Sequence, residues 1–105
     1  MTALALTGFL ALSAALLAIG IFGILTRRNF ILILIAIEIG MNAAILNFVY
    51  FAAFSGATSG LTGQSIAVVL VGFAATEVAV GLAIVLALNR LKGTIDVAQA
   101  TDLKL

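Results

Sequence analysis

Three long apolar stretches, Leu4 to Leu25, Phe30 to Phe54 and Ser65 to Leu88, make up most of the chain, and short polar segments part them. Apolar residues run nearly all round each stretch, with neither the alternation of a half-buried strand nor the single stripe of a surface helix. At 1.5 Å per residue, each helix is long enough to cross a hydrocarbon core of about 30 Å. The pattern predicts an all-α integral membrane fold of three transmembrane helices in a single domain, residues 1–105. Thr26-Arg27-Arg28-Asn29 reads as a short loop after the first span, and Ser55 to Gly63 as an uncharged loop of small residues before the third. Asn89, Arg90 and Lys92 close the third span, with Gly93 as its C-cap. Residues 94–105 form a mixed tail too short to fold alone.

The first stretch is too long for a signal-peptide core and no basic residue precedes it, so it reads as a span. Gly8, Gly20 and Gly23 within it mark places where another helix approaches closely. Arg27 and Arg28 sit in the first loop, Arg90 and Lys92 follow the third span, and the other two flanks carry no basic residue. The positive-inside rule then puts the N-terminus outside and the C-terminus inside. Tyr50, near the outer end of the second span, fits an interfacial aromatic anchor.

Composition narrows the chemistry. The 105 residues are 65% hydrophobic and 9% charged, with a mean hydropathy of +1.38, far from the roughly 25% charged residues of a soluble domain. There is no Cys and no His, which removes disulfides, thiolate or imidazole metal sites and the nucleophilic arrangements that need those groups. A net charge of +1 gives no basic patch for nucleic acid, and no glycine-rich phosphate loop precedes a helix. Nothing in the chain points to catalysis by this polypeptide alone.

Two ionisable residues interrupt the apolar spans, Glu38 in the second and Glu77 in the third. An acid at the centre of a membrane helix costs roughly 2.5–3.5 kcal/mol, whereas the Leu, Ile, Val and Phe residues of the second span return roughly 4–8 kcal/mol. Counted from Arg28 and Arg90, Glu38 lies about 15 Å deep and Glu77 about 20 Å deep, at slightly different heights. A carboxylate in low dielectric that is neutral part of the time can load and unload a proton. No Lys or Arg of this chain lies at that depth, so a positive partner has to come from another subunit or from water. Asn42, one helical turn beyond Glu38, can hydrogen-bond its carboxyl group. Asn47 falls on another side of the helix and serves a different contact. Ala74 and Gly81 beside Glu77 leave room for water or a close helix. Gly72 reads as a packing position, and Thr76 as bonded to a carbonyl of its own helix. The blander alternative is a protonated glutamate acting as interhelical glue, which two acids in three spans make less economical.

At IEIGMNAAILNF (Ile37 to Phe48) and AATEVAVGLAIVLALNR (Ala74 to Arg90) the chain resembles the subunit K, or 4L, family of proton-pumping NADH:quinone oxidoreductase, respiratory complex I. The likeness includes the three spans, LTRRN at Leu25 to Asn29, Gly63-Gln64 before the third span and the ending DLKL. It implies that Glu38 and Glu77 belong to a chain of charged residues linking quinone reduction to proton translocation. Arg27, Arg28 and Asn42 are then supporting polar residues. It also implies subunits of the A, J and N types as partners and the lipid membrane, in a bacterium the inner membrane, as surroundings. The subunit itself is expected to hold no cofactor, while quinone, FMN and iron–sulfur clusters sit elsewhere in the complex. Three further readings remain beside this one: a purely structural assembly subunit, a subunit of a related hydrogenase, or one of a multisubunit cation/proton antiporter. The last generally lacks both glutamates.

Overall fold

A computed structural model describes residues 3–54 and 57–99. Three helices, α1 (Ala3–Thr26), α2 (Phe30–Phe54) and α3 (Ala57–Lys92), run antiparallel in turn, and each is long and apolar enough to cross a membrane. α2 is the middle element and packs along both neighbours, whereas α1 and α3 share no extensive contact. The bundle is 53 Å long, with cross-sectional extents of 24 and 19 Å.

Small residues let the helices meet. Among the described residues the buried ones are Gly20, Ala36, Ala43, Ala52, Ala67 and Ala74 with Tyr50, Val85 and Ser13. Most large aliphatic side chains face outward, as in a protein solvated by hydrocarbon or by other subunits. The α1–α2 crossing is closest at Gly20, where an added Cβ would lie 2.8 Å from the Ala36 carbonyl oxygen and 2.9 Å from the Gly40 nitrogen. Gly23 faces the Ala36 methyl group. The expectation of close approach therefore holds at Gly20 and Gly23. At Gly8 this chain places nothing within 4 Å, and Gly72 is equally open.

α3 starts earlier than the sequence suggested. Residues 57–63 of the expected loop are helical, and positions 55 and 56 lie outside the described residues. Gly63 is pressed against Ala52 of α2, with an added Cβ 3.3 Å from the Ala52 Cα. That contact lets the helix continue through a segment whose Gly, Ser and Thr content argues against one. Tyr50 is another correction. It is only 2% exposed, its ring stacks at 4.1 Å on Phe9 of α1, and Phe54 lies 4.9 Å away. The ring packs between helices and is not an interfacial anchor.

The basic end is tied together by the tail. Asn29 caps α2, its Oδ1 accepting from the backbone N–H of Ile31 at 2.8 Å and of Leu32 at 3.4 Å. The Phe30 N–H, another donor left over at a helix start, goes to the Ile95 carbonyl at 2.9 Å. Val97 N–H donates to the Arg28 carbonyl at 2.7 Å, so Asn29 and Asp96 form an antiparallel bridge. Gly93 makes the reversal possible. Its φ of +68° and its N–H bond to the Asn89 carbonyl end α3 in a left-handed cap. The tail up to Gln99 folds against the first loop, and residues 100–105 of the expected tail lie outside the described residues.

Candidate functional site

The two glutamates are positioned by the α2–α3 seam. Gly81 of α3 receives Leu34 of α2, whose Cδ1 lies 2.7 Å from where a Cβ would stand. Gly63 receives Ala52. These two contacts are eighteen residues apart on α2 and eighteen apart on α3, so the helices keep one register along the seam. Four residues on from Leu34 is Glu38, and four residues back from Gly81 is Glu77. The two acids are therefore level, and the unequal depths expected from Arg28 and Arg90 are corrected. The offset arises because α3 runs on past the level of Arg28, so a count from Arg90 includes three extra residues, a little under one turn.

Level does not mean facing each other. Glu38 lines a groove of about 300 Å³ with Ile31, Leu34, Ile35, Val78 and Leu82. Glu77 lines another of about 550 Å³ with Leu34, Ile37, Phe73, Val80 and Ile84. Both grooves follow the same stretch of the seam and share Leu34, so they open on opposite faces of the helix pair. Glu38 is half-buried and Glu77 exposed. Neither carboxylate has a hydrogen bond or ion pair within the described chain.

The supporting residues are spread out. Asn42 shares the Glu38 side of α2, as the one-turn spacing requires, and is exposed. No hydrogen bond joins it to Glu38 among the described residues. Arg27 lines an apolar groove between α1 and α2 with Phe22, Leu32, Ile35 and Ile39. Ile35 and Ile39 also border the Glu38 groove, so Arg27 belongs to the Glu38 face at its charged end. Arg28 is exposed, and its carbonyl holds the tail. Thr76 Oγ1 donates to the Gly72 carbonyl at 2.9 Å, as expected.

Leu34 does not stand out in the sequence, because its seat on Gly81 and its place in both grooves depend on helix register, which one chain's pattern does not carry. Asn29 was legible as a cap, since an amide residue directly precedes an apolar run. No grouping of side chains suited to a metal ion occurs among the described residues. What remains is two carboxyl groups in separate apolar grooves.

Comparison with known proteins finds relatives over nearly the whole chain. Residues 8–105 match the family described as NADH-ubiquinone/plastoquinone oxidoreductase chain 4L. The chain is 42% identical over 104 residues to a protein of Bacillus anthracis (strain CDC 684 / NRRL 3495) called NADH-quinone oxidoreductase subunit K, covering 99% of each. It is 46% identical over 96 residues, 91% of each chain, to subunit K 2 of Solibacter usitatus. With subunit K 1 of Symbiobacterium thermophilum it shares 44% identity over the full length of both.

Proposed function

This chain belongs to the chain 4L, or subunit K, family of NADH-quinone oxidoreductases, and from that premise we propose that Glu38 and Glu77 are its working residues, carrying protons within the membrane arm. The protein is an integral membrane subunit of a multi-subunit complex. In this reading it supplies two carboxyl groups to the path that couples quinone reduction to proton translocation. The observation that carries the reading is the placement of two level acids in apolar grooves on opposite faces of one helix pair. Each groove is open to a different neighbour, and neither acid has an ion-pair partner among the described residues. In this reading each carboxyl group takes up or gives up a proton as the groups that its neighbour presents change.

Subunits of the A, J and N types are the proposed neighbours, and the basic end with Arg27, Arg28, Arg90 and Lys92 is the cytoplasmic one, leaving the N-terminus outside. The chain binds none of the redox groups itself. FMN and iron–sulfur clusters transfer electrons elsewhere in the complex, and quinone is reduced outside this subunit. Arg27 and Arg28 anchor the charged end at the headgroups and favour proton entry on the Glu38 side, with Asn42 as a hydrogen-bonding group one turn further on.

The test is a complex carrying Glu77→Gln, with assembly, turnover and proton pumping measured on the same vesicles. An assembled complex with both activities lowered at least tenfold is expected. Wild-type pumping and turnover in an assembled complex would show that the acid serves packing and the subunit is scaffold.

A further inference from the structure

Leu34 lines both carboxylate grooves, and its terminal methyl groups occupy the space that the missing side chain of Gly81 leaves in the seam. At this point one apolar side chain is the wall between the Glu38 groove and the Glu77 groove. Water chains and polar side chains conduct protons, whereas a close-packed aliphatic plug leaves no partner for them. We propose that Leu34, seated on Gly81, is a barrier residue that keeps the two acids from exchanging protons directly through the α2–α3 seam. This rests on the relay reading above. Proton exchange between the two faces is thereby left to groups on the neighbouring subunits, which can be switched by the redox reaction. A polar residue at 34 gives the proton a short route that bypasses the switch, so electrons flow with fewer protons moved.

The experiment uses the whole complex in vesicles, with protons pumped per NADH oxidised as the readout and assembly checked on the same membranes. Leu34→Asn nearly keeps the shape of the side chain but makes it polar, and Leu34→Met keeps it apolar at similar volume. The expected result is a ratio lowered at least twofold in Leu34→Asn, with turnover within about twofold of wild type, and an unchanged ratio in Leu34→Met. A role in packing alone leaves the ratio of every assembled variant at the wild-type value, and that result overturns the proposal. If Leu34→Asn does not assemble, Leu34→Ala, which opens space for water at the same point, is read in the same way. Glu38→Gln and Glu77→Gln on parallel membranes separate the two ideas. Pumping retained in both removes the relay reading itself, whereas pumping lost there with an unchanged ratio in Leu34→Asn removes only the barrier.

Discussion

Glu38 and Glu77 stand at the same level of the α2–α3 pair but point to opposite faces, with Leu34 bordering the groove of each. The chain thus presents one acid to each side of a layer a single helix thick. If both serve one proton path, their losses should not add. The double variant Glu38→Gln/Glu77→Gln is expected to pump no less than the more severe single variant, within about twofold. Losses that multiply would mean independent routes. Initial pumping rates in vesicles, normalised to assembled complex, decide this.

Gly20 and Gly8 make a matched pair for the packing of α1. Gly20→Val places atoms against the Ala36 carbonyl and the Gly40 backbone, neither of which can yield cheaply. A loss of about 1–3 kcal/mol is expected, seen as less subunit in the membrane and a lower unfolding temperature of the complex. Gly8→Ala adds a methyl group into open space within this chain. It should change neither quantity unless a partner subunit fills that space.

Tyr50 carries most of the aromatic packing between α1 and α2 at the end away from the basic loop. Truncation to Ala removes its ring contacts with Phe9 and Phe54. A cost of roughly 3–5 kcal/mol is expected, and Tyr50→Phe should keep most of that stability. Thermal unfolding of the purified complex separates the two.

The chain contains no cysteine, so topology is open to single-cysteine labelling. Gln99, exposed beside the basic end, is the natural position. Gln99→Cys should react with an impermeant maleimide in inverted vesicles and not in right-side-out ones. The opposite pattern would reverse the proposed orientation.

Much of this architecture is visible in the hydropathy of the chain. Three long apolar runs and two flanking pairs of basic residues require three helices with their charged ends together, whatever the packing details. Glu38 and Glu77 stand out because a charge in such a run costs so much. Their relation to each other is not visible, since it depends on which residue of α3 lies beside Leu34. That is settled by the missing side chain of Gly81 and the small one of Ala52. Small residues in a span announce that something approaches without naming what, and so Gly20 and Gly8 look alike in the sequence and differ in the fold. The early start of α3 was hidden for a related reason. Residues 57–63 have poor helix propensity, and the packing of Gly63 on Ala52 outweighs it. Tyr50 was misplaced because the preference of tyrosine for the membrane interface is statistical, whereas Phe9, forty-one residues away, determines where the ring lies.

The hydrogen bond from Phe30 to Ile95 also sets an order of events in biosynthesis. The acceptor is made sixty-five residues after the donor, several seconds later at about 5–20 residues per second. Until then the start of the second helix has one backbone donor that only water or a headgroup can serve, and the first loop is held by its arginines alone. A segment made after all three helices closes the turn between the first two. A chain cut short before Ile95 would insert all three helices yet leave that end unlatched.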